Sequence, residues 1–437
     1  MSRAADALPL LRTGIPGPRS IALGERLARV ESRNITTLDP RPIFWQEAWR
    51  ANVADVDDNI FIDLTSGFGV AFAGHSNPRV AAALGRQAAV LPHALGDVYP
   101  AAAKVALLEK LASIAPGDLA ISILGSDGAD AVEAALKTAA LHTGRPGVLA
   151  FEGGYHGLTY GALAATWRSD FRGPFLQQLN PHVRFAPYPA GEPDAVAGSM
   201  EATREQVLAQ LDAAEREGFP IGAVIVEPIL GRGGLVMPPP EFLPWLRELC
   251  DGRSRVLIFD EVYTGMGRTG AWFACEHTGV APDVLAVGKA LTGSIPLSAA
   301  IGTPSVMAAW PPSTGEAIHT STFLGNPAAC AAALAQIAEI EAGGLLARAH
   351  DLGAMIEART AGWVTSKKVM ARRGAGLLQG VRLASPAAGL GAALRALEAG
   401  VIIMAEGDGS VLAITPPACI SETQLETALD SLESAIA

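Results

Sequence analysis

The sequence contains little cysteine and little charge, and both shortages narrow the class of protein. Only four cysteines occur in 437 residues. They lie far apart and form no CxxC pair, so we expect neither a disulfide framework nor a cysteine metal site. Charged residues make up 18% of the chain and hydrophobic residues 49%, which excludes an intrinsically disordered protein and predicts a large apolar core.

An excess of basic charge and long apolar runs are also missing. The 33 Lys and Arg against 44 Asp and Glu give a net charge of −11, whereas nucleic-acid binding needs a basic surface. No run of about 18 or more apolar residues could span a membrane. The first twenty residues have no continuous apolar stretch typical of a secretory signal. We therefore expect a cytoplasmic protein that binds neither nucleic acid nor a membrane, and that has no metal site.

Several segments have a clear local pattern. Three prolines and two glycines in the first twenty residues predict an extended arm rather than a helix. Residues 52–64 alternate as strands do, with a hairpin turn at 57–59. Residues 100–116 and a long Ala-rich segment from about Asn326 predict helices. We divide the chain into an N-terminal arm with a small-domain segment (1–60), a large domain (61–325) and a C-terminal small domain (326–437).

Five short apolar runs alternate with helical periods in the large domain, namely 121–124, 148–151, 223–226, 256–259 and 284–287. Buried strands separated by helices predict an α/β fold with a mostly parallel sheet covered by helices on both faces. Ligands of such sheets bind at the carboxyl ends of the strands. The residues that directly follow these runs are therefore the candidates for a site.

Four of these runs are followed by residue types that carry chemistry. Glu227, Asp260 and Lys289 follow three of them at once or after one glycine, and Tyr155 and His156 follow a fourth within a Gly-rich turn. A single charged residue at a strand end is usually just a solvated terminus. Several at one edge of one sheet indicate a functional site.

Five longer blocks resemble, in order and spacing, those of the class III aminotransferases, which are fold-type I pyridoxal-phosphate enzymes. The similarity runs from about Phe61 to the C-terminus. It implies a seven-stranded-type sheet with a smaller α+β domain, pyridoxal 5′-phosphate as cofactor, and a homodimer with shared active sites. The expected reaction transfers an amino group between an amine and a keto acid or aldehyde. The blocks are FEGGYHGLTYGALAAT, VEPILGRGGLVMPPPEFL, LIFDEVYTGMGRTG, AVGKAL and HTSTFLGNPAACAAAL.

The resemblance implies catalytic functions for Lys289 and Asp260. Lys289 matches the lysine that holds the cofactor aldehyde as a Schiff base, and its freed amine is the natural base for moving a proton between the substrate and cofactor carbons. Asp260 matches the carboxylate that keeps the pyridine nitrogen protonated, so that the ring can accept electrons. Val262 and Tyr155 match the side chains that pack on the two ring faces, and His156 supports the same site.

The resemblance also implies how the phosphate is held. Gly128 and Ala129 fall where the family donates backbone amides from the start of a helix. Thr322 matches a threonine that reaches the phosphate from the neighbouring subunit. Asp127 departs from the family because a hydroxyl residue usually precedes this glycine. An acid beside a phosphate is unfavourable, so we expect the Asp127 side chain to turn away.

The substrate positions depart further from the family. Leu158 and Ala413 stand where many members carry an arginine that binds a substrate carboxylate. Glu227, which we place at the cofactor site, thereby lacks its usual arginine partner, although Arg232 could replace it. The departures favour an ω-amine or weakly acidic amine over acetylornithine, ornithine or 4-aminobutyrate. A keto acid still needs a cation, and Arg168, Arg172 and Arg232 are the candidates.

Other activities remain open at this stage. Racemases, an aminomutase, a decarboxylating transaminase and phospho-lyases share the same fold, cofactor and central residues, and differ in the bond that breaks. Transfer of nitrogen to a keto acid indicates a transferase, free ammonia a lyase, and an isomerised amine a racemase or mutase. A binding protein without activity is disfavoured because every core residue type is present.

Overall fold

The computed structural model describes residues 4–35, 42–190 and 198–437. Short strands and longer helices alternate along most of the chain. The strands are β1 (Trp45–Trp49), β2 (Asn52–Asp55), β3 (Ile60–Asp63), β4 (Ile121–Gly125), β5 (Gly147–Phe151), β6 (Val183–Ala186), β7 (Ile221–Val226), β8 (Val256–Asp260), β9 (Val284–Val287), β10 (Ser298–Gly302), β11 (Ala371–Ala375), β12 (Leu378–Arg382), β13 (Val401–Ile402), β14 (Met404–Glu406) and β15 (Val411–Ile414).

The helices cover both faces of the central sheet and the outside of the smaller sheets. They are α1 (Pro18–Leu27), α2 (Ser66–Gly69), α3 (Pro78–Val90), α4 (Ala102–Ile114), α5 (Gly128–Thr143), α6 (Tyr160–Ala165), α7 (Ser169–Arg172), α8 (Met200–Arg216), α9 (Phe242–Gly252), α10 (Pro304–Met307), α11 (Pro327–Ala342), α12 (Leu345–Thr365), α13 (Pro386–Glu398) and α14 (Glu422–Ile436).

The central sheet has seven strands in the order β4-β10-β9-β8-β7-β5-β6. β10 pairs antiparallel with β4 and β9, while β9, β8, β7, β5 and β6 are mutually parallel. The predicted α/β fold with a mostly parallel sheet is therefore confirmed. β6 and β10 were not predicted. β6 begins Val183-Arg184, which interrupts the apolar run, and β10 consists largely of small residues that resemble the Ala-rich helices.

Apolar residues of the central strands point alternately to two cores. One core contains Leu257, Phe259 and Leu285 with residues from α4, α8 and α9. The other contains Ile258 and Ala286 with the small residues of α5. Since both faces are covered, β5, β7, β8 and β9 are buried along their whole length. Only the strand ends are left to meet a ligand.

Two smaller sheets join the ends of the chain. In the first, the β2–β3 hairpin turns at 57–59, as predicted, and β3 pairs in parallel with β13. The second has the order β11-β12-β15-β14. The predicted arm ends earlier than expected because α1 begins at Pro18, a residue that suits the first helical position. The domain division at 60/61 and 325/326 stays a prediction.

Two helices of the C-terminal half bear on the question of a membrane span. No single helix of the described ranges is both long and apolar enough to cross a membrane. Pro327–Ala342 and Leu345–Thr365 pass that test only as a pair bent by 64°. The first begins where predicted, with Asn326 as N-cap accepting from the Ala329 amide, and it buries most of its residues in the protein core.

Candidate functional site

The carboxyl ends of the central strands surround a cavity of about 520 Å³. All the residues predicted to bind the cofactor line it except Thr322. They come from the loops after β4, β5, β7, β8 and β9, and they are Gly128, Ala129, Tyr155, His156, Glu227, Asp260, Val262 and Lys289. The cavity therefore gathers, at one edge of one sheet, residues that span much of the sequence.

Lys289 enters the cavity directly after β9. Its backbone has φ +41°, a conformation that a non-glycine residue adopts only when its surroundings enforce it. The Nζ atom lies 4.1 Å from the centre of the Tyr263 ring. Burial lowers the pKa of Lys289, and this effect outweighs the opposing attraction of Asp260, Glu227 and Glu406. A lowered pKa increases the fraction of neutral amine, the form that reacts with a carbonyl group.

Asp260 ends β8 and is held at both carboxylate oxygens. Its Oδ1 accepts from the backbone amide of Val262 at 3.0 Å, and its Oδ2 lies 2.7 Å from Nδ1 of His156. Because a carboxylate only accepts, Nδ1 is the protonated ring nitrogen of His156. The His156 amide in turn donates to Oγ1 of Thr166 at 2.9 Å. The buried carboxylate is thus fixed in direction by a side chain that is itself anchored.

Glu227 follows β7 and also has both oxygens occupied. Oε1 accepts from the Tyr155 amide and Oε2 from the Gly231 amide, each at 2.9 Å. Burial and the negative charge of Asp260 raise the pKa of Glu227 to about 7, against the opposing effect of His156 and the two amides. Glu227 therefore links the Tyr155 and Gly231 loops that border the cavity. No arginine of the part of the chain that the structure describes forms an ion pair with it.

The start of α5 forms the floor of the cavity. The amides of Gly128 and Ala129 precede the point where bonding inside a helix begins, so they are available to an anion. A Cβ at Gly128 would lie 2.8 Å from the Val262 side chain, so the close approach of the helix start to Val262 requires glycine at this position. The Asp127 carboxylate caps the helix by accepting from the Asp130 amide at 3.1 Å, although Asp127 still lines the cavity.

These features fit pyridoxal phosphate. Amides at a helix start suit a phosphate, a fixed buried carboxylate suits a pyridine nitrogen, and a lysine with a lowered pKa suits an aldehyde. The residues present can therefore hold the cofactor that the sequence predicts.

Among the described residues, Arg232 is the arginine that lines the cavity. Its guanidinium carbon lies 4.7 Å from the centre of the Tyr155 ring and 5.6 Å from that of Phe171. Its ion-pair partner is Glu406 at the end of β14, with Nε 3.9 Å from Oε2. Arg232 thus pairs with Glu406 instead of Glu227, the partner that the sequence suggested.

The two positions that lack an arginine differ in their surroundings. Leu158 lines the cavity and is half exposed. Ala413 is buried in β15, in an apolar cluster with Ile229 and Leu235. Phe68 is exposed in a left-handed turn and does not line the cavity. Neither the Leu158 nor the Ala413 position supplies a cation.

Thr322 is exposed and lies outside the cavity of its own chain. Its segment packs against residues 90–99. Phe323 contacts His93 with ring centres 5.3 Å apart, and Asn326 donates to the Pro92 carbonyl at 2.9 Å. The two segments, which we call the 90–99/318–324 surface, expose several large apolar side chains, including Val90, Leu95, Val98, Tyr99, Ile318 and Phe323.

Sequence reasoning gave no function to Tyr263 or Glu406. Tyr263 was detectable in principle, because it follows β8 by three residues and so had to lie near the same edge. Its hydroxyl is 3.5 Å from Oγ1 of Thr415, and burial raises its pKa to about 12. Glu406 had no signal, because its pairing with Arg232 joins segments that are distant in sequence.

The chain is similar to known proteins along nearly its whole length. The family model of class-III aminotransferases matches residues 36–436. A 4-aminobutyrate aminotransferase of Mycobacterium tuberculosis is 38% identical over 96% of each chain. An acetylornithine aminotransferase of Methanosarcina acetivorans is 35% identical over 91% of this chain and 93% of its own.

Solved structures agree with this similarity. An amine transaminase from an uncultivated Pseudomonas species, with pyridoxal phosphate bound, superposes with a TM-score of 0.84 at 27% identity and covers 93% of this chain and 98% of its own. The ornithine aminotransferase of Toxoplasma gondii has the same TM-score at 26% identity and covers 97% and 96%. The similarity thus extends over nearly the whole chain and includes its fold.

Proposed function

The chain belongs to the class III aminotransferases, which depend on pyridoxal 5′-phosphate, and from this premise we propose how its own residues perform the transfer. The observation that carries the proposal is the convergence of Lys289, Asp260 and the start of α5 on one cavity. The substrates are a small-molecule amine and a keto acid or aldehyde. The four cysteines, none of which forms a disulfide, support a reducing, cytoplasmic location.

Lys289 is proposed as the residue that holds the cofactor and moves the proton. When bound, the cofactor supplies an aldehyde that condenses with amines and a pyridine ring that accepts electrons. The Lys289 amine, with its lowered pKa, is neutral more often than an exposed lysine. It can therefore accept the proton from the substrate carbon that carries nitrogen and return it to the neighbouring cofactor carbon.

Asp260 is proposed to hold a proton on the ring nitrogen. Its fixation by His156 and the Val262 amide directs a carboxylate oxygen without reorganisation during the reaction. Val262 and Tyr155, which line the same cavity, are proposed to pack on the two faces of the ring. Gly128 and Ala129 are proposed to bind the phosphate, and Glu227 to keep the Tyr155 loop in place.

A homodimer with shared active sites completes the proposal. Thr322 lies outside the cavity of its own chain but on a surface rich in exposed apolar side chains. Exposed apolar patches of this kind mark interaction surfaces. We therefore propose that the 90–99/318–324 surface packs against a second copy and delivers Thr322 to the phosphate of that copy.

The donor is proposed to be an amine with a neutral or cationic tail. Leu158 adds apolar surface to the cavity, and Ala413 adds none of the charge that a remote carboxylate would require. Glu227, which pairs with no cation among the described residues, favours an ammonium or hydroxyl group nearby. The two curated relatives act, by their names, on donors that carry a carboxylate, so the donor class is open to a direct test.

Lys289→Ala should abolish the visible absorption of lysine-bound cofactor and reduce turnover to background. The reason is that no second amine lines the cavity among the described residues. Absorption spectra before and after hydroxylamine treatment and dialysis measure this. Covalently bound cofactor in the variant, or turnover near that of the wild type, would contradict the assignment.

Asp260→Asn should retain much of the cofactor but lose most of the rate. The amide keeps the shape of the side chain while removing the charge that favours a protonated ring. We expect a loss of at least ~100-fold in kcat, about 2.7 kcal/mol. Cofactor content and kcat are measured on the same preparation, and a kcat within a few-fold of the wild type would disprove this function of Asp260.

Mixing Lys289→Ala and Thr322→Ala protomers should restore activity. If Thr322 serves the partner's site, the mixed dimer has one doubly defective site and one intact site. If Thr322 served its own site, each site would carry one defect and nothing would be recovered. Assays after subunit exchange, with each variant alone as control, distinguish the two arrangements. A fully active monomer in sedimentation would also exclude sharing.

A panel of donors should show higher kcat/KM for alkyl amines, aryl amines and diamines than for 4-aminobutyrate or N-acetylornithine. The physical reason is the missing guanidinium at positions 158 and 413. Each donor is assayed with pyruvate and with 2-oxoglutarate. If 4-aminobutyrate or N-acetylornithine exceeded every other amine tenfold, the proposed donor class would be wrong.

A further inference from the structure

A keto acid brings a carboxylate into the cavity, and this charge needs a partner. The charged side chains of the cavity wall are Asp127, Glu227, Asp260, Arg232 and Lys289. The first three are acidic, and Lys289 is committed to the reacting carbonyl group. Among the described residues, Arg232 is thus the cation of the wall that is left to receive a carboxylate.

The other two arginines suggested by the sequence do not meet this need. Arg168 directs Nε and Nη2 to the carboxylate of Asp170, at 3.2 Å and 2.6 Å. Arg172 lies over the Phe185 ring, 4.6 Å from its centre. Neither lines the cavity. The structure therefore separates three candidates that the sequence could not rank.

The guanidinium of Arg232 has N–H groups that form no hydrogen bond with the described residues. Its contact with Glu406, at 3.9 Å, is an ion pair without a hydrogen bond. Nε is buried and has no hydrogen-bond partner within the described residues. The side chain is 34% exposed, so a ligand in the cavity can reach it. A planar group with unused N–H donors matches a carboxylate in geometry as well as in charge.

The backbone of the 231–234 loop holds Arg232 in this direction. The Gly407 amide donates to the Arg232 carbonyl at 3.0 Å. A Cβ at Gly231 would lie 2.5 Å from the Tyr263 ring, and one at Gly233 would lie 2.5 Å from the Gly153 carbonyl oxygen. The loop is therefore packed too closely for larger residues, and the ring of Tyr155 supports the guanidinium from one side.

We infer that Arg232, on the loop after β7, binds the carboxylate of the keto acid substrate in place of the arginines missing at positions 158 and 413. The inference rests on the proposed function, since it names the acceptor contact of the same site. Donors with a neutral tail do not require this contact. Its loss should therefore be confined to substrates that carry a carboxylate.

The test compares Arg232→Gln with the wild type on two acceptors, pyruvate and propanal, with one alkyl amine as donor. Loss of a charged, bidentate hydrogen-bonded contact should raise KM for pyruvate by ~10- to 100-fold. KM for propanal should change less than about threefold, and the visible absorption of bound cofactor should persist. Arg232→Lys, which keeps the positive charge but not the planar pair of N–H donors, should recover part of the affinity for pyruvate.

Arg168→Gln is the matched control, because it removes a guanidinium that is already paired outside the cavity. An unchanged KM for pyruvate in Arg232→Gln, or a larger rise in Arg168→Gln, would overturn the inference while leaving the proposed function intact. Equal losses on both acceptors would also overturn it, since they would indicate a general defect of the site. A wild-type protein that binds no cofactor and transfers nitrogen to neither acceptor would refute the proposed function itself.

Discussion

The register between parallel strands is the constraint on which the site depends. Val226 pairs with Phe259, and Asp260 pairs with Ala286. Glu227 and Asp260 therefore leave neighbouring strands at the same level, and Lys289 follows three residues after Ala286. A shift of one residue in either pairing would send the corresponding side chain to the other face of the sheet. Burial of β7, β8 and β9 on both faces prevents such a shift, because every hydrophobic side chain of these strands has a place in one of the two cores.

This register has an electrostatic consequence. Two buried carboxylates and one lysine come together where little water can screen them. Hydrogen bonds from His156 and a backbone amide stabilise the negative charge of Asp260, and hydrogen bonds from two backbone amides stabilise that of Glu227. Even so, the pKa of Glu227 is raised to about 7 and that of Lys289 is lowered. Burial favours the neutral form of both groups, and shifts of this kind cluster at functional sites.

The parts of the molecule that were predictable from the sequence are those whose structure is determined by residues close together in the sequence. The five apolar runs predicted buried strands, and their ends predicted Glu227, Asp260 and Lys289 at one edge. The fold and the cavity wall could thus be anticipated. β10 could not, since Ser298–Gly302 is built from small residues that occur equally well in this chain's helices. The pairing of Arg232 with Glu406 could not either, because it depends on how β14 meets the loop after β7.

The difference between a buried strand and a loop at the cavity edge explains how an arginine can be missing from β15 and yet present in the cavity. Position 413 lies in a buried strand, where Ala413 packs with Ile229 and Leu235. A guanidinium there would have to extend out of an apolar cluster, at a cost in desolvation unless it is paired. Arg232 avoids this cost because its loop borders the cavity directly and its charge faces Glu406. The glycines on either side allow the backbone to approach Tyr263 and Gly153 closely. Binding of a carboxylate is therefore moved from a strand to a loop without any change in the strands that position Lys289 and Asp260.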